Sequence, residues 1–298
     1  MKWIYFTQER IRFRKPNLMR RPISSLHPAL YTLRVWQKTR ARTLRDFAAR
    51  ADFAREIEGE ALPFVLKRHQ SLLRRKLGNS NPILQENKVT NLEIARQTFD
   101  GILIRPGQTF SFWKCVGDAN AQKGYLEGLK LSQGEVKTGV GGGLCQLGNL
   151  LLWMAWHTPL KVVERHHHSF DPFPDSGRTV PFGSGASLFY PYLDLRFHNP
   201  TSSTFQLKVW LEAQHLKGLI ACDSEPDESF HLVEKNHGFV RQDDANYRQN
   251  EIWRRAIDRR SGNLKREELL VSNFALVKYE LPDIIQNSPA NSAAPEKL

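Results

Sequence analysis

A run of glycines leads directly into an apolar segment near the middle of this 298-residue chain. Residues 139–143 contain four glycines, and residues 144–157 are predominantly apolar. Glycine adopts backbone conformations that are closed to other residues, and Pro159 cannot continue a helix. The pattern therefore predicts a tight turn followed by a buried helix that starts at Cys145 and ends before Pro159.

The position of Cys145 predicts a reactive thiol. Unpaired backbone N–H groups and the positive end of the dipole at a helix N-terminus favour the thiolate over the thiol. Gln146 and the backbone N–H of Cys145 are candidate donors to a developing oxyanion. Gly141, Gly142 and Gly143 would let a substrate approach the sulfur closely. The alternative interpretation is a buried structural cysteine.

Three consecutive histidines end a β-branched segment, residues 160–169, that predicts a strand. In a strand His166 and His168 share one face, while His167 points to the other. A histidine next to Cys145 would activate the sulfur as a general base. We therefore select His166 and His168 as candidate catalytic residues.

A carboxylate would complete such a site by fixing the imidazole tautomer. Asp194 is the candidate from a later predicted strand, and Asp171 and Asp175 are nearer in the sequence. This order of cysteine helix, histidine strand and orienting residue is the one that papain-like and transglutaminase-like thiol enzymes use. His166 and His168 with an aspartate would also suit zinc or iron, and a structural polar cluster is the third interpretation. No metal or cofactor is assigned.

Helical spacing dominates the N-terminal part of the chain. Apolar residues with arginines between them predict an amphipathic helix over residues 29–58. A second helix is predicted over residues 64–77, which Gly78 would end. Asn91 is a candidate N-cap for a helix over residues 92–99.

Strand patterns dominate the rest. Residues 101–105 predict a strand closed by a turn, and a period of two over residues 193–198 and 205–211 predicts two more. With residues 216–222 these would form an antiparallel meander, and a hairpin is predicted at residues 261–263. The fold class is α+β, with the cysteine-bearing helix packed on a largely antiparallel sheet.

These patterns divide the chain into four segments. Residues 1–78 are predicted to be a basic helical region and residues 79–225 the core domain. Residues 226–281 are predicted to be an α/β extension. Residues 282–298, rich in Asn, Ser, Ala and Pro, are predicted to be disordered.

The net charge of +12 is concentrated at the N-terminus, where residues 1–76 hold 19 Lys and Arg against 6 Asp and Glu. An anionic membrane surface is the candidate partner of residues 1–60, and nucleic acid is not expected because no nucleic-acid motif accompanies the charge. The start lacks the apolar region of a secretory signal, and no segment reaches the roughly 18 apolar residues of a membrane span. The three cysteines form no CxxC pair. We expect a cytoplasmic protein with reduced thiols, peripheral at the inner membrane face.

Eight segments carry a resemblance to a known family: residues 62–64, 88–92, 106–113, 124–128, 141–147, 163–169, 173–178 and 181–186. On these the chain resembles the VanW family, accessory proteins found with some glycopeptide-resistance gene clusters in bacteria. The family pattern usually has Ser at the position of Gly148 and varies at His167. Cys145, Gln146, His166 and His168 match it.

The resemblance implies a cell-envelope context without a settled reaction. The leading hypothesis is a thiol-dependent acyl-transfer or amide-hydrolysing enzyme that acts on a peptide-like substrate such as a peptidoglycan precursor. Cys145 would be the nucleophile and His166 or His168 the base, while Arg165 and Arg178 would bind a carboxylate or phosphate. The alternatives are a non-catalytic accessory protein that holds a precursor or partner at the inner membrane surface, and a metal-binding protein that uses His166 and His168.

Overall fold

The computed structural model describes residues 28–74, 81–132, 135–167, 170–171, 174–175, 179–242 and 244–281. They form an α+β structure with few helices and mostly antiparallel sheets, as predicted. The helices are α1 (Pro28–Ala48), α2 (Ile83–Arg96), α3 (Phe112–Val116) and α4 (Cys145–Trp156), with a 3-10 turn at Ala121–Lys123. The strands are β1 (Phe64–Leu72), β2 (Ile102–Ile104), β3 (Thr109–Ser111), β4 (Glu127–Ser132), β5 (Glu135–Val140), β6 (Lys161–Glu164), β7 (Phe170–Asp171), β8 (Arg196–His198), β9 (Phe205–Leu211), β10 (His215–Cys222), β11 (Glu228–Gln242), β12 (Ala245–Asp258) and β13 (Leu264–Val277). No helix among the described residues is both long enough and apolar enough to cross a membrane.

Helix α4 lies at the centre of the core. It begins at Cys145 and ends ahead of Pro159, as predicted. Its buried residues are Leu147, Gly148, Leu150, Leu151, Leu152, Met154, Ala155 and Trp156. A helix that is apolar on most sides must be covered on most sides. One cover is the four-stranded sheet β1-β10-β9-β2, where Gly218 of β10 leaves room for the side chains of α4.

Strand β1 occupies the segment that we predicted as a helix over residues 64–77, so that prediction is wrong. It pairs antiparallel with β10, from Phe64 opposite Cys222 to Leu72 opposite His215. The partner strand lies far away in sequence, and pairing with it overrides the local apolar spacing. Residues 64–72 therefore belong to the edge of the main sheet.

Two of the three strands predicted as one meander are neighbours. Strands β9 and β10 pair antiparallel, but β8 pairs with β3 and β6 in a separate sheet of order β3-β8-β6. Asn199 explains the separation. Its amide donates to the carbonyl oxygens of Ile104 at 2.9 Å and Ser203 at 2.7 Å, which fixes a bend between β8 and β9.

The C-terminal part is a sheet of long strands. Strands β11, β12 and β13 are antiparallel, and the short β7 adds parallel to β13. The predicted hairpin at residues 261–263 is confirmed, with Gly262 at a φ of +72°. Residues 226–281 contain no helix where the structure describes them, so the helical part of the predicted α/β extension is wrong. The predicted disordered tail lies outside the described residues.

Helix α1 ends ten residues before the predicted end at residue 58. Arg50 adopts a left-handed φ of +47°, a conformation that terminates helices. Phe53 and Ile57 then form bridges to β3 and β2. The last apolar residues of the predicted helix therefore run extended along the sheets.

The glycine turn before α4 packs directly on the hairpin of β4 and β5. Gly141 and Gly143 have φ angles of +74° and +94°, which glycine adopts without strain. A Cβ on Gly142 would lie 2.1 Å from the carbonyl carbon of Gly128. The glycines are therefore explained by backbone geometry and close packing.

Asn91 holds this turn in place from inside α2, so its predicted role as a helix cap is wrong. Its side-chain amide donates to the carbonyl oxygens of Leu126 and Gly142, both at 2.9 Å. Its side-chain oxygen accepts from the backbone N–H of Leu126 at 2.8 Å. Asn91 is fully buried, and these bonds satisfy its polar atoms.

Gly142→Ala should destabilise the protein by about 1–3 kcal/mol or more, because the new methyl group would overlap backbone atoms that cannot move aside easily. Urea unfolding followed by circular dichroism measures the difference. Gly238→Ala is the matched control, since no heavy atom lies within 4 Å of its added Cβ. Equal stabilities of the two variants would contradict the close packing of the glycine turn.

Candidate functional site

Cys145 starts α4 and is half-buried. Its Sγ lies 4.0 Å from the carbonyl oxygen of Leu188. Burial raises the pKa of the Cys145 thiol, and this effect outweighs the backbone N–H of the helix start and the nearby Lys130 ammonium, which lower it. The thiol is therefore neutral at neutral pH, and the thiolate expected from the helix N-terminus is not favoured. A catalytic role for Cys145 stays a prediction.

Gln146 uses its amide to tie the start of α4 to β1. Its Nε2 donates to the hydroxyl of Ser71 at 2.9 Å and to the carbonyl oxygen of Leu72 at 2.8 Å. An amide nitrogen carries two hydrogens, so both are engaged. Gln146 would have to break these bonds before it could bind an oxyanion, and that role also stays a prediction.

His166 binds the carboxylate of Glu164, which was not among the predicted orienting residues. Its Nε2 lies 3.0 Å from Oε1 of Glu164. Burial alone would raise the pKa of Glu164, but the bonds from His166 and Arg42 outweigh it and lower the pKa to about 2. Glu164 is therefore ionised at neutral pH and orients the imidazole. Among the described residues no hydrogen bond joins His166 to Cys145.

Asp194, the predicted orienting residue, is 1% exposed and fully engaged. Its Oδ2 accepts from the Ser111 hydroxyl at 2.5 Å and from Nε of Arg196 at 3.0 Å. Its Oδ1 accepts from two backbone N–H groups at 2.9 and 3.0 Å. Among the described residues, Asp194 is connected to His166 through Glu164, whose Oε1 accepts a hydrogen bond from the backbone N–H of Asp194 at 3.1 Å.

A network of charged side chains surrounds Asp194, and we call it the Asp194 network: Arg42, Asp46, Glu164, Asp194 and Arg196. Arg42 pairs with Glu164, and also with Asp194 at 3.2 Å. Arg196 binds both oxygens of Asp46, at 2.6 and 3.0 Å. Because Arg42 and Asp46 belong to α1, the network fastens α1 to β6, to β8 and to the segment that leads into β8.

Arg165, predicted to bind substrate, is held by backbone carbonyl groups. Its Nε donates to the oxygen of Gly185 at 2.9 Å, and a terminal N–H donates to Gly183. The guanidinium also lies over the Trp156 ring, 5.2 Å from the centroid. Burial lowers the pKa of Arg165 to about 10.

His168 and Arg178 lie outside the described residues, so their predicted roles stay predictions. Asp171 and Asp175, the alternative orienting residues, both bind Arg248, at 3.2 and 2.6 Å. No group of three or more His, Cys, Asp or Glu side chains in the described ranges is placed to hold a metal ion. A metal site that includes His168 stays a prediction.

Glu164 was not predicted as a site residue, although the sequence contains a signal for it. The period of two that placed His166 and His168 on one face of a strand places Glu164 on that face as well. Arg42 and Asp46 carried no comparable signal. Their spacing puts them on one face of a helix, but nothing local shows which face of α1 packs on the core.

Comparison with known proteins identifies the family. The sequence model of the family described as VanW like protein matches residues 87–221 of this chain. The chain is 32% identical over 239 residues to the vancomycin B-type resistance protein VanW of Enterococcus faecalis. The matched residues cover 80% of this chain and 87% of that protein. The chain belongs to the VanW family. It is also 31% identical over 112 residues to the uncharacterized protein YoaR of Bacillus subtilis, 37% of this chain and 34% of that protein. No solved structure matches.

The matched VanW segment holds most of the site. Residues 87–221 include Cys145, Glu164, His166 and Asp194. Helix α1, which supplies two members of the Asp194 network, lies ahead of the matched segment. The VanW core of this chain is therefore joined to α1 through partly buried charges.

The raised pKa predicts slow alkylation of Cys145. Iodoacetamide is the reagent, and peptide mass spectrometry separates the three cysteines. Cys145 in the folded protein should react more slowly than in urea at every pH below about 8.5. The unfolded chain is the control, because it removes both the burial and the raised pKa. Half-maximal alkylation of folded Cys145 below about pH 7 would contradict this account and support a catalytic thiolate.

Proposed function

We propose that this VanW family member is an accessory binding protein that docks on an anionic membrane surface through α1 and holds an envelope-related ligand there. One observation carries the membrane part of the proposal. Helix α1 packs on the core with its polar face and presents its large apolar side chains to solvent.

The face of α1 that packs on the core is polar. The least exposed of its described positions, Val35, Thr39, Arg42 and Asp46, are spaced as one helix face. Arg42 and Asp46 bind the rest of the Asp194 network from this face. Since these charges are paired across the interface, α1 is fixed in orientation as well as in place.

The opposite face is apolar, and we call it the outward face: Leu33, Trp36, Arg40, Leu44 and Phe47. Leu33 is 50% exposed, Trp36 55%, Leu44 68% and Phe47 82%. Exposed apolar side chains in one patch mark a surface that meets a partner or a membrane. An interfacial helix that lies on a bilayer combines such a face with basic residues, and Trp, Phe and Leu are typical of its buried side.

The charge of α1 matches an anionic surface. The helix carries five basic side chains, Arg34, Lys38, Arg40, Arg42 and Arg45, of which Arg42 faces the core and is paired with Glu164 and Asp194. Its one acidic side chain, Asp46, is neutralised by Arg196. Each basic residue near an anionic bilayer contributes about 1 kcal/mol. Charge complementarity therefore favours an anionic membrane as the occupant of the outward face.

The binding role is favoured over thiol chemistry because Cys145 is half-buried with a raised thiol pKa, while no histidine in the described ranges hydrogen-bonds to it. The resistance protein that this chain resembles supports the envelope context. A thiol-dependent acyl-transfer or amide-hydrolysing reaction on a peptidoglycan-related substrate stays a prediction for this chain, as does the cytoplasmic side of the membrane.

Leu44→Glu should weaken binding to vesicles that contain an anionic phospholipid by about tenfold or more, because it removes a leucine from the bilayer and adds repulsion. Co-sedimentation of the full chain with anionic and with neutral vesicles measures this. Leu264→Glu is the matched control, since Leu264 is 54% exposed and belongs to β13, not to α1. Binding should also fall as salt is raised.

Two outcomes would contradict the proposal. One is the absence of binding to anionic vesicles at low salt. The other is equal vesicle binding by Leu44→Glu and Leu264→Glu. If the chain instead forms a dimer that Leu44→Glu dissociates, the outward face belongs to a second copy of the chain and the membrane role is excluded.

A further inference from the structure

Arg165 differs from the more enclosed arginines because no carboxylate of the described residues binds it. The arginines whose side chains are 4% to 14% exposed each pair with an Asp or Glu: Arg42, Arg196, Arg248 and Arg254. Arg165 has only the carbonyl oxygens of Gly183 and Gly185 and the Trp156 ring. Where the structure describes the chain, its positive charge is therefore not neutralised.

The lack of an anion beside Arg165 needs a physical explanation. Charges that leave water in a folded protein are normally paired, because the desolvation cost is large. Here burial lowers the pKa of Arg165 to about 10, with no carboxylate to offset it. The neighbouring segments outside the described residues, 168–169, 172–173 and 176–178, contain no Asp or Glu. An anion from a bound ligand would complete the pairing.

A cleft of suitable size lies next to Arg165. It measures 430 Å³ and runs between β6 and β13, with Arg165 in its lining. Its apolar lining includes Trp156, Val163, Leu269 and Leu270. The exposed Lys161 brings a second positive charge. The two acidic residues of the lining, Glu164 and Glu268, are already bound by Arg42 and Arg254, so the cleft favours an anion.

The open edge of β6 adds backbone groups to this cleft. In the described part of its sheet, β6 pairs with β8 on one side and with no strand on the other. An extended peptide can add to such an edge through main-chain hydrogen bonds, while apolar pockets receive its side chains. The strand ends at Glu164, directly before Arg165.

We infer that this cleft binds an extended, peptide-like ligand whose carboxylate pairs with Arg165. The peptide backbone lies along the open edge of β6, and its side chains contact the apolar wall that β13 supplies. The inference deepens the proposed function, on which it rests, because it names the site and the chemical class of the ligand that the protein holds. It does not depend on how α1 meets a membrane.

Isothermal titration of the full chain with acetylated tetra-alanine tests the inference. The peptide with a free C-terminal carboxylate should bind at least about tenfold more tightly than the same peptide with a C-terminal amide, because only the carboxylate neutralises Arg165. Arg165→Gln should abolish the preference. Equal affinity for the two peptides, or no binding of either, would overturn the inference. So would inorganic phosphate that binds more tightly than the peptide, since the ligand would then be a phosphate.

Two further variants show whether a loss of peptide binding in Arg165→Gln comes from misfolding. Arg255→Gln is the matched control, because Arg255 binds Glu267 on the same sheet and does not line the cleft. It should keep the preference for the carboxylate. Lys161→Glu changes an exposed residue of the cleft, so it should fold normally and weaken carboxylate binding by severalfold. An unchanged affinity in Lys161→Glu would overturn the inference even if Arg165→Gln does not fold.

Thermal unfolding separates a ligand site from a structural role of Arg165. The carboxylate peptide should raise the melting temperature of the original protein and leave that of Arg165→Gln unchanged. An increase of the same size in both proteins would overturn the inference. Failure of peptide binding leaves the vesicle assay unaffected, since the titration contains no membrane, so the two proposals fail separately.

Discussion

The buried carboxylate of Asp194 is the constraint on which the arrangement of this protein depends. An enclosed negative charge is tolerated only when it is paired and hydrogen-bonded. Asp194 obtains its partners from α1, from α3 and from β8, and so it brings these elements together. The orientation of α1 follows, because Arg42 must face the core to reach Asp194. The apolar side chains on the other side of the helix are then left in solvent.

The same network determines the surroundings of the histidine. Arg42 forms an ion pair with Glu164, and the Glu164 carboxylate hydrogen-bonds to His166. The imidazole is therefore directed towards the charged groups that contact α1. The sulfur of Cys145 lies instead under the Leu188 carbonyl oxygen, at the start of the apolar core helix. Cys145 and His166, which the sequence suggested as parts of one thiol site, therefore have separate hydrogen-bond partners among the described residues, and this supports the binding role that we propose. Arg165, one residue before His166, faces the cleft beside β13.

Local patterns predicted the parts of the fold that depend on neighbours in sequence. The glycine turn, the helix from Cys145, the pairing of β9 with β10 and the hairpin at Gly262 all follow from spacing and turn chemistry. Strand β1 and the separate sheet of β8 could not be predicted, because each depends on a distant partner. The same limit applied to Asn91, whose side chain binds a turn 35 to 51 residues away. In the candidate site, the period of two along the strand could have predicted Glu164. No pattern in the sequence could have predicted the partners of Asp194.

The central claim is that α1 is held on the core by charged side chains and not by its apolar ones. Hydrogen exchange of the α1 amides, read by mass spectrometry without vesicles, tests it directly, since most of the stability of a helix in a protein comes from its packing on the rest of the fold. Asp46→Asn should speed exchange in α1 by about tenfold or more and leave α4 unchanged, whereas Phe47→Ala should leave α1 protected. Faster exchange in Phe47→Ala than in Asp46→Asn would contradict the account.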